Sequence, residues 1–175
     1  MNIIRYPERA EWNNVLKRSA LHTEDIRPAV QEIIGKVRTE GDRALYEYEE
    51  KFDKVKLASL IVTPEEFDEA GKALESGLKE AILRALENIR AFHAAQKFES
   101  KKVETVPGVT CWQKAVPIEK VGLYIPGGTA PLFSTVLMLA TPAQIAGCKE
   151  IILCSPPNTE GKIHPAILFA AQAAG

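Results

Sequence analysis

The segment LYIPGG, residues 123–128, joins an apolar run to a pair of adjacent glycines. Paired glycines adopt backbone conformations that other residues rarely reach, and they let a ligand come close to the main chain. Pro131 suits the first position of a helix after the glycines, with Thr129 or Ala130 opening it. The free N–H groups of such a helix start favour an anion or a phosphate. The sequence therefore predicts a ligand at residues 124–129.

The spacing of these glycines differs from the dinucleotide-binding fingerprint. No third glycine follows at the required distance, and Ser155 rather than an acidic residue closes the next apolar run. Spacing alone therefore leaves two interpretations open, a nucleotide site and a plain structural turn.

The residues around the glycines predict a parallel α/β unit. Residues 121–125 and 151–154 are apolar runs without polar alternation, which is typical of parallel strands buried on both faces. The apolar segment between them ends at Gly147 and predicts a helix, so the three elements form a crossover unit. A second helix is predicted over 163–174. In such sheets ligands bind beyond the carboxyl ends of the strands.

The first half of the chain is predicted to be mainly helical. Apolar residues recur every three or four positions over 23–40 and again over 77–98, which indicates amphipathic helices. Thr63 and Pro64 combine a capping residue with a proline at the first helical position, a strong helix start.

Short β-prone segments interrupt these helices. Residues 60–62 suggest a short strand, and two β-prone runs joined by Pro107 and Gly108 predict a hairpin. The predicted fold class is therefore α/β, with a helical N-terminal half, a β-hairpin, and an incomplete Rossmann-like βαβα unit. An open parallel sheet of two strands leaves apolar edges uncovered, so we expect a truncated domain.

Composition excludes several classes of protein. The chain has 175 residues, 46% of them hydrophobic and 26% charged, as in ordinary globular proteins. A net charge of −1 gives no reason to expect nucleic acid or a membrane surface as partner. No apolar stretch has membrane-spanning length, and the first residues lack the order of a secretory signal. We expect a cytoplasmic protein.

Cysteines and histidines predict no metal site. They lie far apart and include no ligand-spaced pair: Cys111, Cys148, Cys154, His22, His93 and His164. Cys148 and Cys154 are interpreted as small buried hydrophobic residues, and His93 as a hydrogen-bonded packing residue. We therefore assign no catalytic residue and no metal ligand within this chain.

The segment LYIPGGTAPLFSTVLMLATPAQIAGCKEIILCSPP, residues 123–157, closely resembles the signature region of the histidinol dehydrogenase family. GDRALYEYEEKFD, NIRAFHAAQK and ETVPGV resemble the same family in register. The resemblance implies an aldehyde-dehydrogenase-like architecture: an arm at 1–20, the N-terminal part of a first α/β domain at 21–123, and the start of a Rossmann-like NAD-binding domain at 124–175. Members of that family are considerably longer, so we expect an N-terminal fragment.

The resemblance also implies a reaction, the oxidation of L-histidinol to L-histidine through L-histidinal with two NAD and zinc. This is the last step of histidine biosynthesis, and the family enzyme is expected to be a homodimer. Its zinc ligands and its Glu-His acid/base pair are expected beyond residue 175, so the chain alone is expected to be inactive. The alternative is a stand-alone NAD-binding or dimerisation module without catalytic activity.

One cofactor contact follows from the resemblance. Tyr124 matches the tyrosine that lies against NAD in the family, and Pro126, Gly127 and Gly128 follow as its neighbours. A tyrosine at a strand end offers an aromatic face and a hydroxyl. The other interpretation of Tyr124 is a partly buried core residue.

Overall fold

The computed structural model describes residues 3–17, 26–127 and 130–175. The chain divides into two compact units, Met1–Leu45 and Tyr46–Gly175. The described residues of the first unit form a short 3-10 turn and two helices: Arg9–Glu11, α1 (Trp12–Val15) and α2 (Arg27–Glu40). A third helix, α3 (Asp42–Tyr48), runs across the division. Residues 23–25, where the α2 pattern was predicted to begin, lie outside the described part.

The second unit is mainly helical. Its described residues form a π-helical turn and four α-helices: Glu49–Asp53, α4 (Pro64–Ala73), α5 (Ser76–Ala94), α6 (Phe133–Ala146) and α7 (Pro165–Ala174). The predicted start of α4 is confirmed, because the Thr63 hydroxyl accepts from the Glu66 N–H at 3.3 Å. The Glu66 carboxylate in turn accepts from the Thr63 N–H at 2.8 Å. This reciprocal pair satisfies two otherwise free backbone donors.

The described strands form two separate pairs. The antiparallel hairpin consists of β1 (Lys102–Val106) and β2 (Val109–Trp112), and the parallel pair of β3 (Lys120–Tyr124) and β4 (Glu150–Cys154). The predicted hairpin is confirmed by its antiparallel register. The parallel pairing is also confirmed, with Tyr124 opposite Cys154 at the carboxyl ends of the two strands.

The predicted strand over residues 60–62 is wrong. These residues form a bend without strand pairing, and the Ile61 side chain is 78% exposed. A β-prone sequence becomes a strand only when another strand supplies its hydrogen bonds. None of the described strands pairs with residues 60–62 to supply these hydrogen bonds.

The predicted start of α6 is also wrong. Pro131 was expected at the first helical position, but the helix begins two residues later, at Phe133. Leu132 is the N-cap residue, with φ −87° and ψ 52°, and its side chain makes no capping hydrogen bond. The first N–H groups of α6 are thus displaced along the chain from the paired glycines.

The core of the second unit lies between the helices and one face of the parallel pair. Helices α5, α6 and α7 pack together, and α4 packs on α7. The buried cluster is Ile82, Leu86, Ile125, Val136, Leu137, Ala140, Ala166, Ile167, Ala170 and Ala174. Leu123 and Leu153 pack against it from the sheet. Cys154 is exposed, so its predicted burial is wrong, because only alternate residues of β4 face the helices.

No helix in the described part of the chain is long and apolar enough to cross a membrane.

The π-helical turn contains a partly buried carboxyl group, that of Glu49. One carboxylate oxygen of Glu49 is buried and has no hydrogen-bond partner within the described part of the chain. Burial raises the pKa of Glu49, and the nearby charge of Asp53 raises it further. The rings of Tyr48 and Phe52 stack beside this turn with centroids 5.4 Å apart. Ionised Glu49 therefore destabilises the folded turn relative to its protonated form.

We expect Glu49→Gln to raise the free energy of unfolding at neutral pH. A raised pKa in the folded state means that this group favours folding below pH 4.5, and that the contribution is lost as pH rises through the raised pKa. The gain should be below about 1 kcal/mol, because the group is partly exposed and solvent screens its charge. Urea unfolding of both proteins between acidic and neutral pH measures it. Asp53→Asn should give part of the same rise in unfolding free energy, because it removes the second cause of the raised pKa. If the unfolding free energies of the unmodified protein and Glu49→Gln depend on pH in the same way, the raised pKa of Glu49 is contradicted.

Candidate functional site

The carboxyl ends of β3 and β4 carry the predicted cofactor residues. The pairing continues one residue beyond β3, because the Ile125 N–H donates to the Cys154 carbonyl at 2.8 Å. Ile125 turns into the core and is fully buried. Tyr124, one residue earlier, is 63% exposed. Its ring is therefore open to a ligand that approaches the end of the sheet.

Gly127 lies against the loop that follows β4. A Cβ atom built on Gly127 would stand 2.6 Å from the Cγ atom of Pro156, a distance too short for any real side chain. The glycine therefore allows the two loops after the strands to come into contact. Pro126 beside it is exposed, and Gly128 lies outside the described residues. The structure thus brings Tyr124, Pro126 and Gly127 to one end of the parallel pair.

Ser155 is a further polar residue at this strand end, and it is not among the cofactor residues predicted from the sequence. Its hydroxyl oxygen is buried and has no hydrogen-bond partner among the residues that the structure describes. A buried hydroxyl without a partner is unfavourable unless another group satisfies it. In the sequence, Ser155 stands where a dinucleotide-binding fingerprint would have an acidic residue. Its position directly after a strand that pairs with the LYIPGG strand was the available signal.

The histidines of the described part make local hydrogen bonds. Nδ1 of His93 lies 3.0 Å from Oε1 of Gln96, which agrees with the predicted packing role. Nδ1 of His164 accepts from the Ala166 N–H at 3.1 Å and caps α7. Within residues 3–17, 26–127 and 130–175, no three histidine, cysteine or acidic residues are grouped so as to hold a metal ion. His22 lies outside these residues.

A small cavity of about 170 Å³ lies between α4 and α7. Its rim carries Glu69 and Lys162, whose charged atoms are 3.5 Å apart, over an apolar floor that includes Leu168. None of its lining residues belongs to the predicted cofactor residues. The open strand ends, rather than this cavity, are the candidate site.

Three kinds of comparison point to the same family. The family model described as histidinol dehydrogenase matches residues 16–175. The histidinol dehydrogenase of Bacteroides fragilis (strain ATCC 25285) is 63% identical over 175 residues, which are 100% of this chain and 41% of that protein. The histidinol dehydrogenase of Vibrio cholerae is 57% identical over 165 residues, or 93% of this chain and 37% of that protein.

A solved structure supports the same relationship. The crystal structure of histidinol dehydrogenase from Elizabethkingia anophelis matches with a TM-score of 0.91 and 46% sequence identity. The match covers 97% of this chain and 39% of that chain. The chain therefore has an α/β fold and spans about two fifths of the length of these relatives. Because the family model covers nearly the whole sequence, the chain belongs to the histidinol dehydrogenase family.

Proposed function

We propose that this chain forms the N-terminal part of an NAD- and zinc-dependent histidinol dehydrogenase. The whole enzyme oxidises L-histidinol to L-histidine through L-histidinal, the last step of histidine biosynthesis, and works as a homodimer. Identity of 63% across the full chain to a protein named histidinol dehydrogenase supports this proposal. The chain accounts for 41% of that relative, so the activity is proposed for the whole protein.

The role of this chain in the enzyme is to supply part of the NAD site. Tyr124, Pro126, Gly127 and Gly128 are the proposed contacts. The observation that carries this assignment is the exposed ring of Tyr124 at the carboxyl end of a parallel strand, the usual ligand position in such sheets. Its ring would pack against the cofactor, and its hydroxyl would offer a hydrogen bond. Bound NAD supplies the hydride acceptor.

Zinc is held by other residues of the enzyme. We expect its ligands beyond residue 175, as the family resemblance implies, and the described part of this chain offers no group of three side chains suited to zinc. The acid/base residues also belong to the rest of the enzyme. The chain thus positions a cofactor, and the proton transfers occur on side chains that it does not contribute.

The proposed domain organisation follows the family. Residues 1–20 form an arm that contributes to the dimer, and residues 21–123 form the N-terminal part of a first α/β domain. Residues 124–175 begin a Rossmann-like NAD-binding domain within an aldehyde-dehydrogenase-like architecture. The parallel pairing of β3 with β4 across α6 supports the Rossmann-like assignment.

We expect the 175-residue chain alone to show no histidinol-dependent NADH formation. Oxidation of an alcohol needs a base for its proton and, in this family, a metal that holds the substrate. The assay supplies histidinol, NAD and zinc, and it is repeated on a fusion in which Gly175 is followed by the remaining part of the Bacteroides fragilis relative. We expect activity from the fusion only. Steady turnover by the chain alone, or an inactive but folded fusion, would contradict the proposal.

The alternative is a module without catalytic activity. Such a module would bind NAD, or dimerise, without contributing to turnover in any longer protein. An active fusion that loses activity through Tyr124→Ala favours the enzyme. If the fusion is active and Tyr124→Ala leaves its activity unchanged, Tyr124 has no role in NAD binding, although the proposed family activity still stands.

A further inference from the structure

The segment that follows β4 is closed into a ring by hydrogen bonds of Asn158. The Asn158 N–H donates to the Lys162 carbonyl at 2.9 Å, and the Gly161 N–H donates to the Asn158 carbonyl at 2.9 Å. The Oδ1 atom of Asn158 accepts from two more N–H groups, that of Glu160 at 3.0 Å and that of Lys162 at 2.9 Å. Asparagine side chains commonly stabilise turns in this way. We call residues 158–162 the closed loop.

The far side of the closed loop packs on the segment that precedes α4. A Cβ atom built on Gly161 would stand 3.2 Å from Cδ2 of Leu57 and 3.3 Å from Cγ2 of Val55. Val55 is buried, so the closed loop rests on part of the protein interior. Gly161 has a φ of +78°, a left-handed conformation that glycine adopts without strain. The closed loop therefore has both internal hydrogen bonds and a packed support.

The near side of the closed loop leads to the proposed NAD site. Pro156, two residues before Asn158, is half-buried and lies against Gly127. A Cβ atom built on Gly127 would stand only 2.6 Å from Cγ of Pro156, so the two loops touch closely. Because Gly127 is a proposed NAD contact, the position of Pro156 limits where that contact lies. Pro156 is held by β4 on one side and by the closed loop on the other.

We propose that Asn158 is a positioning residue for NAD, which holds Pro156 against Gly127 by closing the loop. Asn158 acts through Pro156 and does not touch the cofactor. This inference rests on the proposed function, because it takes the ligand from there. Without the Asn158 side-chain oxygen, the N–H groups of Glu160 and Lys162 lose their acceptor and the loop populates other conformations. The apparent affinity for NAD then falls with the fraction of protein in the binding conformation.

Replacing Asn158 in the fusion described above tests this role directly. Asn158→Ala should raise the Kd for NAD about three- to tenfold, because losing one or two exposed hydrogen bonds lowers the population of the closed loop. Isothermal titration measures the Kd. Asn158→Asp keeps an oxygen that accepts from the same N–H groups and should restore most of the affinity. Thr159→Ala shortens an exposed neighbour in the same loop and should leave the Kd unchanged.

Steady-state kinetics separate positioning from a general loss of folded protein. Asn158→Ala should raise the KM for NAD, while kcat at saturating NAD and the KM for histidinol stay the same. Loss of folded protein would instead lower kcat per mole of enzyme and leave both KM values unchanged. That second pattern would overturn the positioning role.

A double-mutant cycle in the 175-residue chain tests the contact without NAD. Gly127→Ala forces a Cβ atom against Pro156, and a loop that Asn158→Ala has already opened yields to it more easily. The double variant should therefore lose less free energy of unfolding than the sum of the losses of the two single variants. Additive losses would overturn the proposal.

The fusion also distinguishes failure of this inference from failure of the proposed function. If the fusion is active and Asn158→Ala binds NAD as tightly as the unmodified fusion, the positioning role is wrong and the proposed function stands. If the folded fusion neither binds NAD nor oxidises histidinol, the proposed function is wrong, and the positioning role that rests on it is wrong as well.

Discussion

Replacing Gly127 with alanine should lower the free energy of unfolding of this chain by about 1–3 kcal/mol, the usual cost of forcing extra volume into a packed site. The added Cβ would stand 2.6 Å from the Cγ atom of Pro156. A proline ring is bonded to its own backbone and can move only by a change of pucker, so the ring or one of the two loops must shift. For a chain of this size each kcal/mol corresponds to about 2–4 °C in Tm, which thermal unfolding resolves.

Two matched variants separate this clash from general effects of removing a glycine. Gly122→Ala lies within β3, where the new Cβ meets no atom of the described residues within 4 Å. It should leave stability unchanged or raise it by about 0.5–1 kcal/mol, because glycine is unfavourable within a strand. Pro156→Ala combined with Gly127→Ala should recover most of the loss. Equal stability of Gly127→Ala and Gly122→Ala would contradict the packing explanation.

At Gly127, one structural feature could be predicted from the amino-acid sequence and another could not. The paired glycines indicated a close approach to the main chain, and the structure contains such an approach. The approaching group is Pro156 of the same chain, some thirty residues away in sequence, which no local pattern identifies. A packing role for Gly127 and a cofactor contact are compatible, but loss of NAD binding in a Gly127 variant would not distinguish them.

The difference between local sequence preferences and contacts with distant residues also explains which other sequence predictions were confirmed and which were wrong. The strands β3 and β4 were predictable because their apolar runs are continuous and stopped by prolines and glycines. The start of α6 was not, since the preference of Pro131 for a first helical position is local and the chain instead reaches Leu132 in a non-helical conformation. Ile61 has strand propensity but no described strand beside it, and it is left exposed.

The exposure of Cys154 and the burial of the Ser155 hydroxyl both depend on which face of β4 packs against the helices. The apolar run predicts a strand but does not say which alternate residues face α6 and α7. In the structure Leu153 belongs to the covered side, whereas Cys154 faces outward beside Tyr124. The candidate site was therefore predictable in position, at the carboxyl ends of the strands, but not in the orientation of its side chains.

Tyr124→Ala should weaken NAD binding to the whole enzyme by about 1–3 kcal/mol, or about 5- to 150-fold in Kd, the range expected for losing the contact of one large side chain. The ring is 63% exposed and contributes little to the core, so its removal should leave folding intact. Isothermal titration of NAD into the fusion, with circular dichroism as a check of folding, measures the effect. Tyr124→Phe keeps the ring and loses only the hydroxyl, so it should retain most of the affinity.

A second exposed aromatic residue provides the control for this substitution. Trp112 on β2 is 59% exposed and lies in the hairpin rather than at the carboxyl ends of the parallel strands. Trp112→Ala removes a ring of comparable exposure and should leave the Kd for NAD unchanged. Zinc content should stay the same in all three variants, because none of the substituted residues is proposed as a ligand. If Tyr124→Ala binds NAD as tightly as the unmodified enzyme, the ring does not contact the cofactor and the LYIPGG loop has only its structural role of packing Gly127 against Pro156.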